Sequence, residues 1–275
     1  MLTTLSVTAF ESKNPFTHFL YKFKRDKITV KMSECYGLPV KNIEYIRYLD
    51  SIRWRKLDKV IKAQRNHILC GESISLPKER GYRRFHTDEY KRRLCINTSI
   101  GLLSNSKRKD VKVGLIDNHA EYMMLPKYLL KHTDSLCVVT KETDIYKQVA
   151  ENVLEESGAP FSYYKTQNAL KGCKLIIAPF SDYDTCITAF DTVILATEKP
   201  KNDTIATVIY DYSIPKDKNI EKACPQTLDS TYFASALYTI GKVHSLGTLL
   251  PRYSISENKV HTISSLTEII DKNLT

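Results

Sequence analysis

VKVGLID, residues 111–117, is the stretch that decides the fold. It is an apolar run of strand length ending on a polar turn, and it opens a series. SLCVVT (135–140), FSYYKT (161–166), CKLIIAP (173–179), TVILAT (192–197) and ATVIYDYSI (206–214) follow it. Residues 119–132 read as a helix between the first two runs. Thr143 is placed to cap a second helix reaching about Ser157, with Gly158 just beyond. In that helix Ile145, Val149 and Val153 are four apart, as are Tyr146, Ala150 and Leu154, so one broad face is apolar. A shorter helix is expected at 167–171. Strands that are apolar throughout are buried on both faces, which calls for helices on both sides of a parallel sheet. With right-handed crossovers the expected class is α/β, a doubly wound, mostly parallel, Rossmann-like sheet over 111–243.

Outward from that sheet, the first 110 residues read as a smaller basic α/β domain. Residues 5–10 and 27–32 look like strands, 43–64 like a helix, and 67–70 like a third strand. In the helix, Ile46, Leu49, Leu57, Val60 and Ile61 fall roughly on one side. Thr87 caps a further helix, 88–103, and the polar, basic linker SNSKRKD (104–110) is the expected boundary. A last helix, 230–243, is expected to pack back on the first domain, and the tail 244–275 to pack back on the protein.

Charge divides the chain in the same way. Residues 1–110 hold 24 Lys and Arg against 11 Asp and Glu, whereas the remainder hold 17 against 20. A basic unit attracts anions: a small anionic molecule or nucleotide, nucleic acid, or anionic lipid. A solvated lysine-rich surface accounts for it equally well. The seven cysteines (35, 70, 95, 137, 173, 186 and 224) are odd in number and form no CxxC pair, the usage of a reducing compartment. No zinc signature is present, so no metal is expected. The first residues lack a signal-peptide pattern and no apolar stretch approaches the roughly 18 residues of a membrane helix, so a cytoplasmic protein is expected.

Ligands of a doubly wound sheet bind at the carboxyl ends of its strands. The candidate cofactor-binding residues there are Asn118 after the first strand, Thr140 and Lys141 after the second, Phe180 and Ser181 after the fourth, and Thr197 after the fifth. A dinucleotide site normally carries GxGxxG in the first turn, so that backbone can approach the pyrophosphate. Here that turn is Asp117-Asn118-His119-Ala120-Glu121, with Gly114 upstream in the strand. The glycines are missing, and Asp117 and Glu121 would repel a phosphate. Pro126 is expected to kink the following helix. Thr140-Lys141 suits a 2′-phosphate, which points to NADP; a simple helix-capping loop would look the same. His119 is a candidate general base, held neutral by a helix N-terminus, or else a polar first-turn residue. There is no GxxxxGK[ST], HExxH or GxSxG. Arg53-Trp54-Arg55-Lys56 and Tyr82-Arg83-Arg84-Phe85 mix cations with aromatics, as nucleic-acid surfaces do.

Two stretches resemble known families. Ser12-Lys13-Asn14-Pro15-Phe16-Thr17-His18 resembles the S-K-S-P-x-x-H segment of shikimate dehydrogenases, with Asn14 at the second serine. The resemblance implies that Ser12 and His18 bind substrate and that Lys31, in Ile28-Thr29-Val30-Lys31, stands for the catalytic lysine, although the family's proline is absent there. Asp211-Tyr212-Ser213-Ile214-Pro215-Lys216-Asp217 resembles the D-x-x-x-P-[RK]-D turn of glutamyl-tRNA reductases, whereas Ser33-Glu34-Cys35-Tyr36 shares only Ser and Cys with their S-T-C-N-R-x-E stretch. The order of elements fits both families. The resemblance implies a distant or degenerate relative of two-domain Rossmann dehydrogenases, with NADP as cofactor and a small anionic metabolite as substrate. The missing glycine loop leaves two other readings open: a non-catalytic descendant that senses a small molecule or binds a protein partner, and tRNA or other nucleic-acid binding through the basic domain.

Overall fold

A computed structural model describes residues 1–9, 26–48, 51–183, 190–201, 203–257 and 259–272. The chain divides into two compact units. One is Met1–Thr87 with Lys216–Leu246, the other Asp88–Pro215 with Gly247–Thr275.

The first unit opens with strands β1 (Leu2–Ala9), β2 (Lys27–Cys35) and β3 (Leu38–Arg47), helix α1 (Trp54–Ile61) and strand β4 (Ile68–Cys70). The sheet order is β2-β3-β1-β4, with β1 parallel to β3 and β4, and β2 antiparallel to β3. Tyr36-Gly37 joins β2 to β3 in two residues, both at positive φ (52° and 76°), the backbone that a tight hairpin requires. Leu5, Ile43 and Tyr45 pack with Leu57 and Ile61 of α1 and with Ile68, Cys70 and Tyr82. Residues 43–47 are therefore strand, where the sequence suggested helix. Ile43 and Tyr45, two apart, are both buried, so a period of two wins over 3.6, and β3 has ladder partners on both edges.

The second unit begins with α2 (Glu89–Asn105). It continues through β5 (Lys112–Ile116), α3 (Leu125–Leu129), β6 (Ser135–Val139), α4 (Thr143–Ser157), β7 (Ser162–Tyr164), β8 (Leu175–Ala178), β9 (Val193–Ala196) and β10 (Thr207–Ile209). The sheet order is β7-β6-β5-β8-β9-β10 and every pairing is parallel. Counted from β5, this is the 3-2-1-4-5-6 order of the Rossmann fold, and it reverses between β5 and β8. The fold class expected from the apolar runs holds. The α2 side meets the sheet at Cys95, whose thiol donates to the Leu195 carbonyl at 3.3 Å. On the opposite face Ile116, Cys137, Val139, Ile176, Ala178, Ile194 and Ala196 lie with Leu170, Tyr183 and Tyr210. Leu170 ends a 3-10 turn, Gln167–Leu170. A Cβ on Gly114 would overlap the Leu170 side chain, so glycine is what lets this turn lie on β5.

The helix expected over 119–132 shrinks to α3. Pro126 sits in its first turn, where a missing N–H costs nothing, and does not kink a longer helix. Thr143 is the first residue of α4, not its cap, while Gly158 closes that helix at φ +69° with its N–H on the Leu154 carbonyl at 2.8 Å. The run 206–214 splits: β10 joins the parallel sheet, and β11 (Asp211–Ser213) starts another.

Helices α5 (Lys218–Ala223) and α6 (Ser230–Thr239) belong to the first unit. The tail returns to the second unit as β12 (Tyr253–Ile255), β13 (Val260–His261) and α7 (Ile263–Asp271), with β11-β12-β13 a small antiparallel sheet. The linker 104–110, read as a boundary, lies inside that unit, where Ser106 Oγ donates to Asp271 at 2.6 Å. Among the described residues no helix is long and apolar enough to cross a membrane.

Candidate functional site

At the switch point of the parallel sheet, the chain leaves β5 through Asp117, which is fully buried. Its carboxylate accepts the backbone N–H of Glu121 at 3.0 Å and of Tyr122 at 2.7 Å, and the Tyr146 hydroxyl at 2.7 Å. Amides at this point of the fold ordinarily face a pyrophosphate. Here a carboxylate of the chain takes them. Ala120 lies in the left-handed region (φ 53°) to let the turn close. Burial, then the Asp117 charge and hydrogen bond, push the Tyr146 phenol far up, so it remains a neutral donor.

Phe180 follows β8. His119 meets its ring edge-on with centroids 5.6 Å apart, Tyr122 lies at 5.6 Å, and the Arg92 guanidinium sits 4.5 Å from the ring centre. Burial also pushes the Tyr122 phenol up. Ser181, at φ 56°, ties two strand ends together. Its Oγ accepts the N–H of Thr197 at 3.0 Å and of Glu198 at 2.8 Å, and lies 2.9 Å from Thr197 Oγ1, which donates to the Pro179 carbonyl at 3.1 Å. Asn118 donates its side-chain amide to Asp182, and Gln167 Nε2 donates to the Asp182 carbonyl at 2.6 Å. The other Asp182 oxygen, Oδ1, is buried without a hydrogen-bond partner.

Of the residues singled out from sequence, Asn118, His119, Phe180, Ser181 and Thr197 thus come together around the ends of β5, β8 and β9. Thr140 is buried and its Oγ1 accepts the Glu142 N–H at 3.0 Å, a turn-closing role, while Lys141 is exposed. Lys31 lies in the other unit, on β2, where it pairs with Glu44 at 2.8 Å with both side chains largely exposed. Ser12 and His18 lie outside the described residues. His119 sits on a turn six residues before α3, so no helix N-terminus acts on it. Arg92 and Tyr146 were not singled out as site residues. Arg92 comes from a helix that precedes the sheet, and Tyr146 read as part of an apolar stripe. The aromatics expected beside the basic runs are internal: Tyr82 is fully buried, Phe85 nearly so, and Trp54 packs on Tyr82 with ring centres 4.8 Å apart. Among the described residues no group of three or more His, Cys, Asp or Glu is placed to hold a metal ion.

No family model matches the sequence, and no curated protein matches it. Three solved structures are similar to it over 98% of its length. L-tryptophan dehydrogenase from Nostoc punctiforme is 11% identical, with a TM-score of 0.35 and 79% of that chain covered. Quinate dehydrogenase from Corynebacterium glutamicum, solved in complex with NAD, is 12% identical, with a TM-score of 0.34 and 98% covered. A shikimate dehydrogenase in complex with NADP+ is 12% identical, with a TM-score of 0.32 and 94% covered. Likeness this slight carries no residue roles, and the Rossmann assignment rests on the strand order itself.

Proposed function

We propose that the parallel-sheet unit is a Rossmann-like descendant that no longer holds a dinucleotide, and that it works as a binding module for a small molecule or a protein partner. One observation carries this reading: the Asp117 carboxylate accepts the two amides of the turn that would otherwise meet a pyrophosphate. A phosphate brought there would have to displace a buried carboxylate already holding three donors, and would be repelled by it. Thermal unfolding with NADPH, NADP+, NADH and NAD+ tests it. A ligand at about 100 times its dissociation constant adds roughly 2.7 kcal/mol of stability. The expected outcome is no shift of the melting temperature with any of the four.

A second reading, an NADP-dependent oxidoreductase acting on a small anionic metabolite, is favoured by the 3-2-1-4-5-6 strand order and by Lys141, exposed at the end of β6 where a 2′-phosphate would lie. His119, and Lys31 by resemblance, would then serve the chemistry. This reading requires a shift with NADPH that is larger than with NADH and that Lys141→Ala reduces. That result would overturn the first reading.

A further inference from the structure

The first unit contains a cavity that the sheet-end site does not use. It lies at the start of β1, next to the loop entering β4 and the end of α6, and has a volume of about 680 Å³. That falls in the range of small-molecule sites, roughly 300–1,000 Å³. Its polar lining includes Gln64, His67, Arg83, Arg84, His86 and Thr239, and no residue of the lining is acidic. Neither arginine nor either histidine forms a salt bridge among the described residues.

Two features fit a bound anion better than a solvated basic face. First, the cationic segment is fixed in place. The Arg83 N–H donates to the Arg65 carbonyl at 2.8 Å, and its own carbonyl accepts from Ile68 at 3.1 Å. The Arg84 guanidinium is taken up elsewhere, since Nη2 donates to the carbonyls of Gly71, Glu72 and Ile74 at 2.8–3.2 Å and none of these lines the cavity. Second, Thr239 Oγ1 is buried and lacks a hydrogen-bond partner. A helical threonine normally returns its hydroxyl to the carbonyl four residues back, and an orphaned buried hydroxyl costs about 1–3 kcal/mol. The end of α6 presents few bare carbonyls to an anion, because Ala236 accepts from Ile240 and Gly241 and Leu237 accepts from Val243. Single-stranded nucleic acid is a poorer fit, since it needs exposed aromatic platforms. The aromatics of this run, Tyr82 and Phe85, are 0% and 5% exposed.

We propose that this cavity binds a small oxyanion, a phosphate or carboxylate group, through Arg83 and His86, with the Thr239 hydroxyl as a further partner. The proposal concerns the first unit and stands or falls independently of the reading of the parallel sheet. Calorimetric titration of the full chain with inorganic phosphate and with citrate, at ionic strength held constant with sodium chloride, tests it and distinguishes the two chemistries. Saturable binding of at least one is expected. Arg83→Ala, at an exposed side chain, should weaken it about tenfold, the loss of one charge-assisted hydrogen bond. His86→Ala should weaken it in the same direction. Thr239→Val should also weaken it, while the unliganded protein melts no lower than wild type, because a buried hydroxyl without a partner has been removed. Arg55→Ala, on exposed α1 surface, should leave binding unchanged. The proposal is overturned if neither anion binds saturably, or if Arg55→Ala weakens binding as much as Arg83→Ala. It is also overturned if a single-stranded oligonucleotide binds through Arg83 and phosphate and citrate do not compete.

Discussion

Asp117 shows how much of this protein depends on where one carboxylate turns. Its position at the end of β5 is legible in VKVGLID, as is its hostility to phosphate. Its inward orientation is not, because one of its three donors, Tyr146, lies 29 residues further on. Asp117→Ala leaves two amides and a phenol without their acceptor, so a loss of about 3 kcal/mol or more is expected, read as a lower urea midpoint. A variant as stable as wild type would mean that the carboxylate does not cap this turn. Asp58 gives a second prediction at this scale. Burial pushes its carboxyl up, but hydrogen bonds from Arg80 and Tyr82 and the charges of Arg80 and Arg65 outweigh burial and hold it below the usual carboxylate range. A folded pKa below the unfolded one means stability that is full above roughly pH 4 and lost as pH falls through the folded value. Asp58→Asn should therefore lower the urea midpoint at pH 7 and make the acid limb shallower. An acid limb unchanged in the variant would assign that limb to other carboxylates.

The strands of the parallel sheet were the most legible elements, because burial on both faces leaves nearly unbroken apolar runs, as β8 and β9 show. Elements with one wet face were less so. β3 carries Ile43 and Ile46 at helical spacing, and its two ladder partners decide for strand. The turn on β5 was not legible at all, since it depends on a contact between Gly114 and Leu170 that spans two crossovers. That contact makes a prediction. A methyl on Gly114 meets the buried Leu170 side chain at overlap and Cys173 Sγ at 3.3 Å. Gly114→Ala should cost about 1–3 kcal/mol by overpacking. Leu170→Ala alone should cost about 2–5 kcal/mol by leaving a cavity. The double variant should be more stable than the sum of the two losses implies, because the new methyl partly fills the space that Leu170 leaves. Strict additivity in urea unfolding would show that Gly114 and Leu170 do not share that space.

On the scale of the whole chain, the basic half and the sheet half seen in the sequence do not map onto continuous domains. The first unit takes in residues 216–246, and the helix that precedes the sheet, with the linker behind it, belongs to the second unit. Helix α6 is only part of this. The segment before it also returns, through partners that no local pattern announces. Ser6 Oγ lies 2.5 Å from Thr227 Oγ1, Tyr36 donates to Asp217 at 2.5 Å, and Asn42 donates to the Ala223 carbonyl at 3.2 Å. In α6, Phe233 and Leu237 are fully buried, and the Tyr232 hydroxyl donates to the Phe85 carbonyl at 2.7 Å. A fragment cut at the apparent linker, residues 1–110, lacks all of these and carries α2 without the sheet that buries it. Such a fragment should show no cooperative urea transition by circular dichroism, because its remaining core cannot offset the chain entropy of folding. Residues 1–87 joined to 216–246 by a flexible glycine-serine linker should recover a single sigmoidal transition, since that chain holds every contact named above. The two results together assign the boundary. Cooperative unfolding of 1–110 alone would instead place it at the linker and make the returning segment an accessory to a core already complete.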